Sequence, residues 1–218
     1  PESVKRKYFE QFLASRLSGP NSEHVVADIA AANCPFSVIL KDVFNVRRSF
    51  HQDLNKANVK AFPFLDDDRI EHVQGNAENL PFENESVDFM YLLNSWEHFQ
   101  APTDLNFLLE AQRCLKTGGT VFILPLNGSR KAYVMTDPDL WDKKQIYEAG
   151  KLPVFRNGVA VHVSKCGQVY GQYHDADLLV EFAKKTPALQ YEILTVSLDR
   201  QQSWFPERSW NILSATKR

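Results

Sequence analysis

The residues best suited to chemistry lie at the ends of short apolar runs. "VVADIAAANCPF", residues 25–36, carries Asp28 at the end of one such run and then a turn of small residues, Ala30, Ala31 and Ala32. "VRRSFHQDLN", 46–55, closes near Asp53. "RIEHVQGN", 69–76, leads into Gly75-Asn76-Ala77-Glu78, and the run 87–93 into Asn94-Ser95-Trp96-Glu97-His98. A carboxylate accepts two hydroxyl hydrogen bonds, which suits Asp53 to a ribose diol. An amide beside a backbone N–H, as at Asn76-Ala77, can read the edge of an adenine. The imidazole of His98 is poised near neutral pH and can take a proton from a hydroxyl nucleophile. A backbone hydrogen bond or a cap on the next helix is the competing role for it.

Other polar residues weigh differently. Trp96 suits either a ligand wall or the core. His174 precedes a helix, where a substrate contact competes with a capping region. His51 lies inside an apolar run and reads as structural. Asp66-Asp67-Asp68 fan out as consecutive residues do, so a solvated turn fits them better than a metal site. The six histidines show no His-x-x-x-His spacing, and no metal is expected. There is no Gly-x-Ser-x-Gly elbow for a hydrolase of that kind. The Gly-x-Gly-x-x-Gly turn that cradles a dinucleotide pyrophosphate is also absent, which speaks against an oxidoreductase.

These residues need elements to position them. Helical spacing runs over 4–19 and stops at Gly19-Pro20. A second helix fits 34–44, with Pro35 in its first turn. A third fits 103–119, capped by Thr103 or Asp104 and ended by Gly118-Gly119. A fourth fits 175–186, capped by Asp175. Strands are expected at 24–30, 46–55, 69–76, 87–93, 120–126, 191–198 and 209–217. Alternating strands and helices with short links predict an α/β fold: one mostly parallel sheet with helices on both faces. Ligands bind such sheets beyond the carboxyl ends of the strands, where the polar residues fall. The stretch from 127 to about 172 loses the pattern but holds Tyr133, Trp141, Tyr147, Tyr170 and Tyr173, too many aromatics for a disordered linker. It reads as an inserted lid or substrate segment in a single domain.

The totals set bounds. Of 218 residues, 44% are hydrophobic and 24% charged, ordinary for a globular chain with a sizeable core. A formal net charge of −2 argues against a nucleic-acid partner. Lys5-Arg6-Lys7 reads as a solvated helix face. Three cysteines far apart, with no Cys-x-x-Cys pair, suggest free thiols in a reducing cytoplasm. No apolar run is long enough to span a membrane. The chain starts at Pro1 without a methionine, as a piece of a longer protein would. Its oligomeric state is not legible.

The motifs carry a resemblance. "GNAENLPFENESVDFMYLLNSWEHF" is similar to the strand-four region of the class I S-adenosylmethionine-dependent methyltransferases, and "LKTGGTVFIL" resembles their strand-five entry. The likeness covers roughly residues 24–126, and the last helix and two strands fit the same ending. "DIAAANCPF", "HQDLN", "WEHF" and "ILPL" with the later "TDP" resemble, more narrowly, a bacterial subgroup linked to surface-glycan genes. The resemblance implies a Rossmann-like, doubly wound seven-stranded sheet with the last strand antiparallel. It implies S-adenosylmethionine as cofactor, Asp28, Ala30 and Ala32 facing its methionine part, Asp53 its ribose, and Asn76 and Ala77 its adenine. Ala31, Asn94 and Ser95 belong to the same cofactor-binding set, with Asn94 and Trp96 on the floor near the sulfonium. Trp96, Tyr133 and His174 are the candidate substrate contacts, and His98 the candidate base. The implied reaction is O-methylation of a small polar molecule or a glycan.

One departure stands out. The family's turn is Asp-x-Gly-x-Gly-x-Gly, and the three glycine positions here hold Ala30, Ala32 and Cys34. If such a position needs positive φ, alanine costs ~1–2 kcal/mol there. Asn76 replaces the usual Asp, and Asp53 follows Asp28 at a longer interval than usual. A fold kept as a binding or scaffolding domain, without cofactor, is therefore the alternative.

Overall fold

The computed structural model describes residues 2–55, 65–136, 160–162, 170–198 and 209–218. Helix α1 (Glu2–Ser18) ends where Gly19 turns left-handed, φ 57°, and donates its N–H back to Ser15 O. Strand β1 (Val25–Ile29) follows, buried along its whole length. Helix α2 (Phe36–Phe44) is closed by Asn45 in the left-handed conformation, with its N–H on Lys41 O. Strands β2 (Arg48–Asp53), β3 (Ile70–Gln74) and β4 (Val87–Leu93) come next. Then follow helix α3 (Thr103–Cys114) and strand β5 (Leu115–Leu124). Three short strands, β6 (Tyr133–Thr136), β7 (Ala160–His162) and β8 (Gly171–Tyr173), precede helix α4 (Ala176–Lys185). Strands β9 (Leu189–Ser197) and β10 (Ser209–Lys217) end the chain.

The main sheet has seven strands in the order β3-β2-β1-β4-β5-β10-β9. β1 to β5 pair in parallel, and β10 runs antiparallel to both of its neighbours. This is the α/β fold expected from the alternation of elements, with its last strand reversed. Period-two alternation splits the core between the two faces. Ala27, Ile29, Met90, Leu92, Val121 and Ile123 pack with Phe107 and Leu108 of α3 and Phe182 of α4. Val26, Tyr91, Phe122 and Leu124 pack with Leu13 of α1 and with Phe36 and Leu40 of α2. Asp28 shares the parity of Val26, which turns it toward α2.

Two local expectations are corrected. The third helix does not reach Gly118-Gly119. It stops at Cys114, and Leu115 already pairs with Val87 of β4. Strand pairing claims these residues, and the glycines make a bulge within β5: Gly118 has φ 82°, and a Cβ on Gly119 would lie 2.9 Å from the carbonyls of Asp88 and Lys116. Neither Thr103 nor Asp104 caps that helix, whose N-cap is Pro102. Asp104 is buried and turned to other partners. Asp175 does cap α4, its carboxylate accepting from Leu178 N at 2.9 Å.

The stretch 127–172 is not all irregular. β6 pairs in parallel with β7 and antiparallel with β8, forming a second sheet with Tyr133 opposite Tyr173. Alternating apolar and polar residues at such short lengths leave these pairings invisible to local patterning. Trp141, Tyr147 and Cys166 lie outside the described residues. Among the described residues no helix is long and apolar enough to cross a membrane, and no group of His, Cys, Asp or Glu is placed to hold a metal ion. In the acidic triplet, Arg69 pairs with Asp67 and reaches Asp42 at 2.7 Å; its guanidinium lowers the Asp67 carboxyl to about 2.

Candidate active site

The turn after β1 keeps a glycine-like path without glycine. Ala30 has φ 50° and Ala32 φ 47°, both in the left-handed region that L side chains avoid. Hydrogen bonds hold it there. Ala30 N donates to Gln52 Oε1 at 3.2 Å, Ala31 N to Gln52 O at 3.0 Å, and Ala32 N to Asp53 Oδ2 at 2.8 Å. Ala30 O accepts from Ser95 Oγ at 3.1 Å, and Ala32 O from the ring of His51 at 3.0 Å. Strained backbone persists where its surroundings over-determine it, and here the end of β2 does so. Gln52 also donates from Nε2 to Gly75 O at 2.6 Å, tying the ends of β1, β2 and β3 together.

Beneath the turn lies a buried relay. Asp28, Ser37 and His51 are each at most 2% exposed. Ser37 Oγ is 3.1 Å from His51 Nδ1 and 3.5 Å from Asp28 Oδ2. His51 Nε2 faces a carbonyl, so Nε2 carries the proton and Nδ1 accepts from Ser37. Burial lowers the His51 ring from its ordinary range. Burial holds the Asp28 carboxyl well above its ordinary range, against the pull of the Ser37 hydroxyl beside it. Asp28 thus supports the turn from below and does not line the cleft above it.

That cleft has a volume of about 270 Å³ and lies between α1, the turn 30–35 and the end of β4. Ala30, Ala31, Ala32, Asn94 and Ser95 line it. Asn94, at φ 53°, donates from Nδ2 to the buried carboxylate of Glu10 at 2.6 Å. Burial raises the Glu10 carboxyl from its usual range. Cys34, at the third glycine position, lines the cleft too; its Sγ accepts from Gln11 Nε2 at 3.2 Å, and burial raises its thiol far above the ordinary value.

The remaining residues lie further along the strand ends. Asp53 is half-buried and accepts from Asn55 N as well as from Ala32 N. Asn76 is exposed and folds over its own turn, with Oδ1 accepting from Glu78 N at 3.1 Å, while Ala77 is buried. After β4, a 3-10 turn carries Trp96, Glu97 and His98. Nδ1 of His98 donates to Tyr170 O at 2.9 Å, and the ring is 41% exposed. Glu97 Oε1 is 4.0 Å from its Nε2.

Trp96 and His174 are not on the cleft wall. They stack face to face inside the protein, ring centroids 4.1 Å apart at 7°. Around them, Tyr170 donates its hydroxyl to Gln172, and Gln172 donates to Asp104 at 3.0 Å. Gln172 Nε2 is also 3.3 Å from His174 Nε2. This buried network docks the small sheet on the end of β4. Tyr133 stacks on Tyr173 within that sheet, at 4.5 Å. The structure therefore brings Ala30–Ala32, Asp53, Asn94 and Ser95 together, and it sets His98 beside the small sheet. Sequence reasoning missed Gln52, Glu10, Gln11 and Lys7. No local signal marked Glu10 and Gln11: both are buried, whereas the apolar Val4, Tyr8, Phe12 and Leu17 of the same helix are exposed, so which face of α1 docks was not legible.

The residues fit S-adenosylmethionine on this structure's own terms. The turn has the conformation the glycine motif confers, an acid stands at the end of β2, and the buried Oε1 of Gln11 has no partner at the cleft.

Residues 27–123 match the family described as methyltransferase domain. No curated protein matches the chain significantly. The PH0226 protein of Pyrococcus horikoshii is a similar solved structure, with TM-score 0.64 and 17% identity over 100% of this chain and 92% of that one. The YcgJ protein of Bacillus subtilis gives TM-score 0.61 and 14% identity over 97% and 99%. The 1,6-didemethyltoxoflavin-N1-methyltransferase of Burkholderia thailandensis, solved with bound 1,6-didemethyltoxoflavin and S-adenosylhomocysteine, gives TM-score 0.60 and 12% identity over 97% of this chain and 77% of that one. Residues 27–123 thus match the methyltransferase-domain model, and the seven-stranded sheet with its reversed last strand is the fold shared with these solved structures.

Proposed function

We propose that this protein transfers a methyl group from S-adenosylmethionine to a hydroxyl of a small polar molecule or a glycan. The observation that carries the reading is the alanine turn, which holds glycine-type backbone geometry over a cleft at the strand ends. The cofactor, when bound, supplies an electrophilic methyl on a sulfonium. The chain's own residues supply position. Asp53 retains carboxylate lone pairs beside its two backbone donors and would hold the ribose. Asn76 and Ala77 would meet the adenine, and Asn94 and Ser95 the methionine end. His98 is the proton acceptor: Nδ1 donates to Tyr170 O, and Nε2 is the atom that takes the proton. Tyr133, Trp96 and His174 shape the acceptor side, the last two from behind.

S-Adenosylmethionine has no phosphate, so it does not require the open anion-binding turn that a dinucleotide needs. Calorimetric titration with S-adenosylmethionine and S-adenosylhomocysteine tests the reading. Micromolar binding, about −8 kcal/mol, is expected, and Asp53→Ala should weaken it markedly while the fold survives. No heat and no thermal shift at millimolar ligand would leave a cofactor-free binding domain as the answer.

A further inference from the structure

A glycine turn grips its ligand with backbone N–H groups, and here those of Ala30, Ala31, Ala32 and Cys34 are already engaged within the protein. The N–H groups of Ala30, Ala31 and Ala32 go to Gln52 and Asp53, and that of Cys34 goes to Ala31 O at 2.8 Å. The opposite wall of the cleft is α1, which presents Val4, Lys7, Tyr8 and Gln11. Their spacing puts them on one helical face.

Two of these residues, Lys7 and Gln11, each carry a polar group with no protein partner among the described residues. Lys7 makes no ion pair among the described residues, whereas its neighbour Arg6 is 3.6 Å from Glu10. The charge of Lys7 is felt at Cys34, across the cleft. Gln11 is 5% exposed; its Nε2 is used on Cys34 Sγ, and its Oε1 is buried without a partner. A buried acceptor left unmade costs free energy unless a ligand or water meets it. One cation and one neutral acceptor, a helical turn apart, match the carboxylate and ammonium of an amino acid.

We propose that α1 holds the amino-acid end of the cofactor, Lys7 Nζ pairing with its α-carboxylate and Gln11 Oε1 accepting from its α-ammonium. The grip has moved from the turn to the helix. This rests on the cofactor reading above and specifies the residues that secure it.

The test compares two probes by calorimetry: S-adenosylhomocysteine, which carries the amino-acid end, and 5′-methylthioadenosine, which lacks it. Lys7 is exposed, so its substitution leaves the fold intact. Lys7→Ala should weaken S-adenosylhomocysteine about tenfold, as loss of a charge-assisted contact does, and leave 5′-methylthioadenosine within about twofold. Lys7→Arg should recover most of the loss. Gln11→Leu should weaken only the first probe as well. If Lys7→Ala binds both probes as the parent does, the α1 grip is wrong and the cofactor reading stands. If the parent protein binds neither probe, both fail together.

Discussion

Ala32 shows how one residue can keep a conformation its chemistry opposes. Its φ of 47° costs an alanine ~1–2 kcal/mol, offset by bonds to Asp53 and His51. Ala32→Gly should therefore be neutral or more stable by about 1 kcal/mol, the strain relieved exceeding the entropy lost. Ala32→Val should be less stable than the parent, because a β-branched residue tolerates this region worst. Thermal denaturation of the pair checks both; equal loss in both would show that the turn carries no strain. Asp28 sets a pH dependence. Its carboxyl is raised by burial, so the folded chain keeps a proton that the unfolded chain has released. Stability must then fall as pH rises from about 3.9 toward the raised value. Glu10, also raised, adds the same sign; His51, lowered, adds the opposite slope below about 6.5. Asp28→Asn should flatten part of the falling limb and leave the rising limb. Melting temperatures between pH 5 and 8 in both proteins decide it, and identical profiles would refute the assignment.

At the scale of elements, helix ends and strand ends do the positioning. Asp175 caps α4 through Leu178 N and also accepts from Ala132 N at 2.8 Å, so one carboxylate fixes a helix start and the approach to β6. Asp175→Ala should cost about 1–2 kcal/mol, the upper part of the range for a lost cap, read by urea denaturation. A loss within a few tenths would mean that water replaces both bonds. That cap was legible, because Asp before an amphipathic run is a local signal. The end of α3 was not. Gly118-Gly119 looks like a helix stop, but Leu115 is drawn into β5 by pairing with Val87, a contact between residues far apart in the chain. Long-range pairing also explains the small sheet, whose strands of three or four residues are too short to show a period of two.

Across the whole molecule, the small sheet meets the main one through Trp96. The ring is 1% exposed, stacks on His174 and lies 6.1 Å from Phe182 of α4. Trp96→Ala should cost about 3–5 kcal/mol, as for other large buried aromatics. It should also loosen 170–174 first, measured by amide exchange in those strands. Exchange that quickens uniformly instead would mean the two sheets unfold as one.

Residue types and their order determined the strand succession of the main sheet, its strand-end residues and the place of the turn, because hydrophobic period and turn chemistry are local. The left-handed geometry at Ala30 and Ala32 was stated from sequence only as a condition. Tertiary structure decided the rest: it buried Asp28 under α2, packed Trp96 against His174, and laid Lys7 and Gln11 of α1 against the turn. These facts depend on which helix docks on which face and on pairs of residues distant in sequence, and no local pattern encodes them.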